Sequence, residues 1–313
     1  MNDQGGTELS VSPLRCRIEN GNTPVHGEWG CDSEYGVLTD VLLGPADNFR
    51  WLPTSSISMA TLKRGDRFDS QLAMKQHREM VQAYEDAGVR VHWLEADEGL
   101  PYQVFSRDSS FMTPYGAVVT QMAQWWRRGE YAPVIRFYME RGIPIYDMVT
   151  AGSFEGGDFD IIEPGCVLIG WCGERTQEQS AHQVRRWFEK EGWEVRIAPI
   201  AEHYVHIDLM VCMLAEKLCA VCLDTTDPEI VDWLKSRKIE IVPVNYQDTM
   251  ALACNVMSLG NDRIIAPAHA RDLVERLKAL GFAVYDPELD CFTRGGGGVH
   301  CMAQSLRREA AAS

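Results

Sequence analysis

Residues 294–308 read RGGGGVHCMAQSLRR. Four consecutive glycines weaken a strand unless backbone must pass close to something. After them apolar residues resume, and GVHCMAQSLRR at 298–308 reads as a lone strand. If it pairs with the first strand of the chain, the sheet edges disappear and the fold closes into a ring.

Working back from this strand, five segments repeat one plan of strand, turn, strand, helix, strand. Each closes with a short apolar or alternating strand: VRVHWLE at 89–95, IPIYDMV at 143–149, WEVRIAPI at 193–200, IEIVPVN at 239–245 and FAVYDPE at 282–288. Their intervals of about 40–55 residues fall in the range of repeat architectures. Helical stretches precede them. Apolar residues recur at helical spacing over 70–87, and Gly88 follows. Val184, Trp187 and Phe188 share a face within 177–191 before Gly192, and Leu273, Leu277 and Leu280 do so within 269–280 before Gly281. A glycine just past the last turn suits the left-handed position there, where a Cβ is costly. The expected fold is an α/β, five-bladed, pseudo-fivefold propeller of ββαβ units. An ordinary doubly wound α/β sheet is the alternative. One catalytic domain is expected over 36–308, with a polar N-terminal arm over 1–35 and a frayed tail at 309–313.

The 313 residues exceed the roughly 100–200 of a usual domain, but one large α/β domain can hold them. With 45% hydrophobic and 24% charged residues, a sizeable core is available. No run approaches the ~18–20 apolar residues of a membrane helix. The N-terminal stretch lacks a basic start followed by an apolar run, so no secretion signal is expected. A net charge of −15 disfavours nucleic acid and anionic membranes as partners and suits a small cationic substrate. Of ten cysteines, Cys219 and Cys222 have CxxC spacing in KLCAVCLDT. No second ligand pair accompanies them, so they read as core thiols of a buried strand over 218–223. Thiols without a secretion signal point to a cytoplasmic location.

Polar groups interrupt the apolar pattern at the unit boundaries. QVFSRDSSF carries Arg107 and Asp108, SFEGGDFDII carries Glu155 and Asp158, YVHIDLMVCML carries His206 and Asp208, and the glycine run leads to Cys301. Residues two apart on a strand share a face, so His206 and Asp208 are expected to project together. In a closed ring, equivalent positions converge on the axis. Asp108, Glu155, His206, Asp208 and Cys301 would then meet in one pocket. That set suits a guanidino group, which stays cationic and presents a planar fork of N–H donors. Carboxylates can hold the fork. Its central carbon is a poor electrophile, which calls for a thiolate. A histidine can protonate the leaving amine and then activate water. Taken singly, each residue has a structural reading: a turn cap, a tight turn, a core histidine, a buried thiol.

SRDSSF, EGGDF, HID and GGGGVHC, in this order, resemble the motifs of the guanidino-group-modifying superfamily, the pentein or arginine deiminase fold. The resemblance covers roughly residues 36–308. It implies Cys301 as nucleophile, His206 as general acid and base, and Glu155 as the acid beside the histidine. It implies Asp108 and Asp208 as grips on the guanidino nitrogens, with Asp158 beside them or bracing the loop. GERT at 173–176 resembles an arginine deiminase segment and places Arg175 on a substrate carboxylate. RRGE at 127–130 makes Arg127 or Arg128 a second such group. The Trp125–Trp126 pair is expected to shape a pocket for a non-standard side chain.

The implied activity is a cysteine-dependent hydrolase of a guanidino compound, acting through an S-alkylthiouronium adduct and giving a ureido product plus ammonia or an amine. The alternatives are an amidinotransferase, a dihydrolase and a non-enzymatic binding module of the same fold. No metal or organic cofactor is expected, because the covalent adduct carries the difficult step. A homo-oligomer is compatible with the sequence.

Overall fold

The repeat segments become five separate three-stranded sheets. The structure is a computed structural model and describes residues 14–53 and 55–311. Residues 1–13 of the expected arm and 312–313 of the expected tail lie outside the described residues. Blade one holds β1 (Leu38–Leu43), α1 (Ser56–Lys63), α2 (Ser70–Asp86) and β2 (Arg90–Trp93). Blade two is β3 (Ser110–Thr113), β4 (Gly116–Val119), α3 (Tyr131–Glu140) and β5 (Ile145–Met148). Blade three is β6 (Phe159–Glu163), β7 (Cys166–Trp171), α4 (Glu178–Lys190) and β8 (Glu194–Pro199). Blade four is β9 (Val211–Ala215), β10 (Leu218–Cys222), α5 (Pro228–Ser236) and β11 (Glu240–Val244). After α6 (Tyr246–Met250), blade five is β12 (Met257–Gly260), β13 (Arg263–Ile265), α7 (Arg271–Ala279) and β14 (Ala283–Tyr285). Then α8 (Asp290–Thr293) leads to β15 (Ala303–Arg308).

In blades two to five the first two strands are antiparallel, and the third runs parallel to the second after its helix. Blade one has no first strand of its own. β15 supplies it, pairing antiparallel with β1 so that Leu42 faces Gln304 and Leu43 faces Ala303. The lone strand thus closes the ring, and a continuous doubly wound sheet is excluded. First strands lie innermost and are buried throughout in β3 and β12. They touch around the ring, β15 against β3 and β9 against β12. Closing strands such as β2 and β14 stay half exposed at the rim.

Local signals account for the helices. Asp69 caps α2 by accepting from the backbone N–H groups of Gln71 and Leu72. Val184, Trp187 and Phe188 of α4, and Leu273 and Leu277 of α7, are buried as the spacing predicts, but Leu280 caps the end of α7 and is exposed. All ten cysteines are free, and nine are buried. Among the described residues no helix is long and apolar enough to cross a membrane.

Residues 14–35 run against the ring. The N–H groups of Cys16 and Arg17 donate to the carbonyls of Ile145 and Tyr146 on β5. Trp29 and Cys31 join a buried apolar cluster with Leu42, Met112 and Leu306. Closure through β15 should therefore carry measurable stability. Leu306→Ala, at a fully buried site, is expected to cost about 2–5 kcal/mol. Urea unfolding should show a lower midpoint at an unchanged slope. An unchanged midpoint would mean that this strand contributes little to the fold.

Candidate active site

The polar groups all sit on turns that lead into innermost strands. Asp108, Asn255 and Cys301 each stand two residues ahead of β3, β12 and β15. Glu155 precedes one turn of 3-10 helix, Gly156–Asp158, which runs into β6. His206 precedes another, Ile207–Leu209, which runs into β9.

This corrects the strand reading of His206 and Asp208. His206 is extended, but Asp208 lies within the 3-10 turn. Asp158 bends the chain there by accepting the Ile207 N–H on Oδ1 at 2.9 Å. The two side chains still reach one thiol by different routes. His206 and Cys301 line the same cavity, and Asp208 Oδ2 lies 3.5 Å from the Cys301 Sγ.

Two glycines permit this convergence. A Cβ on Gly157 would stand 2.6 Å from His206 Nδ1. One on Gly298 would stand 2.6 Å from Asn255 Oδ1, the atom that accepts the N–H groups of both His300 and Cys301. The last glycine of the run is therefore a close approach of backbone to the fifth blade's asparagine, while Gly295 and Gly297 pass close to Phe49 and Phe105.

His206 Nε2 pairs with Glu155 Oε2 at 2.9 Å, and Nδ1 lies 3.5 Å from Asp108 Oδ1. Glu155 Oε2 also accepts from Arg175 at 3.2 Å. Asp108 Oδ2 accepts from Arg127 Nη1 at 2.7 Å, while its Oδ1 is buried without a hydrogen-bond partner among the described residues. Tyr102, Asp108, Arg127, Arg175, His206 and Cys301 line a narrow cavity of about 310 Å³, open mouth included. Asp208 and Glu155 stand behind this lining, fully buried, which corrects the expectation that Asp208 grips the guanidino nitrogens directly: its carboxylate faces His300 and the thiol instead.

Three further expectations need correction. Arg127 is not free to take a substrate carboxylate: its Nε and Nη2 both donate to Glu130 at 2.8 Å, so its fork is taken by an internal carboxylate. Arg128 is exposed on the surface. Trp125 is 74% exposed, and neither it nor Trp126 lines the cavity. Asp158 likewise stays off the cavity wall and braces the turn at Ile207.

Burial pushes the Cys301 thiol up to about 12; Asp208 adds to this and His206 opposes it. Burial favours a neutral His206 ring, but Asp108, Cys301 and Glu155 outweigh it and hold its pKa well above the ordinary value. Burial also works against an ionised Glu155, yet Arg175, His206 and Arg127 keep its carboxyl well below the usual range. At neutral pH these shifts favour an imidazolium beside a protonated thiol.

Asn255, Glu130, His300 and Glu34 escaped the sequence reading. Asn255 was findable from its register ahead of β12, and His300 from its place beside Cys301. Glu34 carries no local signal. Two buried groups bring three metal-ligand types together, Asp108–Glu155–His206 and Glu34–Asp160–His300. Each already pairs with a guanidinium, Arg127 in the first and Arg107 in the second, which occupies carboxylate oxygens that a metal ion would need.

A family model described as "N,N dimethylarginine dimethylhydrolase, eukaryotic" matches residues 56–308. Over 282 residues the chain is 27% identical to the uncharacterized protein YkgA of Bacillus subtilis, covering 89% of this chain and 95% of that one. It is 26% identical over 243 residues to N(G),N(G)-dimethylarginine dimethylaminohydrolase of Pseudomonas aeruginosa, covering 75% and 89%. In fold it resembles a cysteine-to-serine variant of the Pseudomonas aeruginosa enzyme complexed with citrulline, at a TM-score of 0.73 and 22% identity, covering 86% and 99%. It also resembles the N-terminal domain of ArgZ, a cyanobacterial arginine dihydrolase bound to product, at 0.74 and 21%, covering 86% and 97%.

Proposed function

We propose, for a chain that belongs to the N,N dimethylarginine dimethylhydrolase family, that this site hydrolyses a guanidino C–N bond of N-methylated arginine through an adduct on Cys301. One observation carries the reading. A thiol, an imidazolium and a carboxylate whose buried oxygen, Asp108 Oδ1, accepts no hydrogen bond among the described residues meet at one narrow cavity. That oxygen accepts an N–H of the substrate's fork, and the cation offsets the field of Asp108 and Asp208. The thiol then ionises, its proton passing to solvent.

The thiolate attacks the guanidino carbon and forms a C–S bond. His206, already protonated, gives its proton to the departing nitrogen, and the C–N bond breaks to release dimethylamine. The neutral ring next takes a proton from water while the hydroxide adds to the S-alkylthiouronium carbon. Collapse breaks the C–S bond, the hydroxyl proton passing to the departing sulfur, which restores the thiol and leaves a ureido product. Glu155 holds the ring in place and stabilises its charged form. Arg175 remains the group suited to the substrate carboxylate, since it lines the cavity beside Glu155. Arg127 instead fixes Asp108 Oδ2 and leaves Oδ1 to the substrate.

A panel of arginine, N-monomethylarginine, N,N-dimethylarginine and agmatine in labelled water tests this. N,N-dimethylarginine is expected to give dimethylamine and a ureido product carrying the water oxygen, with no change on adding glycine or ornithine. Strict dependence on an added amine would overturn the hydrolase reading. Release of ammonia from the methylated compound would overturn the leaving group.

A further inference from the structure

Beyond the cavity wall, four buried groups form a line. Asp208 Oδ2 lies 3.5 Å from Cys301 Sγ and accepts from His300 Nδ1 at 2.8 Å. His300 Nε2 faces Glu34 Oε2 at 3.7 Å. The other Glu34 oxygen accepts from Arg107 Nη2 at 2.8 Å. None of Glu34, His300 and Asp208 lines the cavity, so none is placed to touch substrate directly. Glu34 precedes the first strand of the ring and lies outside the stretch that the family model matches.

We infer that Glu34 and His300 are positioning residues, a buried pair that holds the Asp208 carboxylate in place beside the Cys301 thiol. The segment ahead of the ring is then part of the reaction's machinery. The inference rests on the reading of Cys301 as the nucleophile.

The geometry leaves Asp208 dependent on this pair. Among the described residues its carboxylate has two side-chain partners, His300 and the thiol. A buried carboxylate stripped of its N–H donor stays beside the thiol as an uncompensated charge, which is costly and disfavours a second negative charge there. The groups facing His300 are Asp208 from the turn before β9, Glu34 from the N-terminal segment, Arg107 from the turn before β3, and Asp160 on β6. Burial and Arg107 favour a neutral ring, but Asp208 and Glu34 outweigh them and raise His300 to about 9. The imidazolium is therefore present at neutral pH and is lost as pH rises through about 9. While present it offsets the negative field that Asp208 exerts on the thiol.

The test measures alkylation of Cys301 by iodoacetamide in the full chain, located by peptide mass spectrometry, as a function of pH. Glu34→Gln removes the charge but keeps the shape. His300→Asn keeps an N–H near the place of Nδ1 but loses the charge and the reach to Glu34. Glu19→Gln, on an exposed residue of the same segment, is the control. Below about pH 9 both relay variants should alkylate about tenfold more slowly than wild type, a shift of about one pKa unit. His300→Asn should also lack the flattening that wild type shows as His300 deprotonates. On N,N-dimethylarginine, kcat/KM should fall about tenfold, with the control unchanged.

Wild-type alkylation profiles in both variants would overturn the relay. Should Glu34→Gln melt at a much lower temperature, His300→Asn decides, since it keeps the Glu34–Arg107 pair. Alkylation needs no substrate. If wild type turned over no guanidino compound, the relay would still be tested, and the two failures stay distinct.

Discussion

Cys301→Ser should lower turnover on the order of 10⁴-fold or more, to a level indistinguishable from background. An alcohol in this position is a far weaker nucleophile than a thiolate at neutral pH. The loop geometry should survive, because Asn255 Oδ1 grips the backbone N–H of residue 301, not its side chain. Wild type quenched during turnover should carry an amidino mass on the Cys301 peptide, and the serine variant none. Retention of more than about one per cent of activity would remove Cys301 from the mechanism. Free enzyme should also alkylate slowly at neutral pH and faster as pH rises, since the thiol is pushed up to about 12. Adding a substrate-like guanidinium that does not itself block the sulfur should speed alkylation, because its charge favours the thiolate.

His206→Ala should cost about 10²–10⁴-fold in turnover, and it should do so twice in one cycle. The ring sits between Glu155 Oε2 at 2.9 Å and Asp108 Oδ1 at 3.5 Å, so no neighbouring side chain can take its place as proton donor. A substrate whose leaving group departs as a thiol needs no proton from His206. With it the variant should form the adduct at close to the wild-type rate and then stall, accumulating on Cys301 because water is not activated. Equal hydrolysis of amine-leaving and thiol-leaving substrates by His206→Ala would refute the double role. The sign of the pH dependence follows from the raised His206 pKa. The proton is present through the neutral range and is lost only as pH climbs past that raised value, so acid catalysis should fail on the alkaline side.

Legibility tracked the range of each interaction. The closing strands and the helices ending near Gly88, Gly192 and Gly281 followed from periodicity and stop signals. Both are properties of a few consecutive residues. The pattern at 206–208 misled because its apolar alternation matches a strand, while the Asp158 side chain, distant in sequence, bends it into a 3-10 turn. Arg127 read as a second group for the substrate carboxylate, but Glu130, three residues on in the same segment, closes on its fork.

From the sequence alone came the count of units, the position of Cys301 after the glycines, and the chemistry of a thiol, a histidine and carboxylates. Those follow from residue type and short-range spacing. Tertiary structure decided which atoms share the cavity, which carboxylate oxygen stays unpaired, and which acids stand behind the wall. Glu34 and His300 lie at opposite ends of the chain and face each other because β15 pairs with β1, which brings the last turn of the ring onto the first blade. The raised thiol and imidazole pKa values are likewise set by tertiary structure, since burial and the charges that converge from different blades determine them.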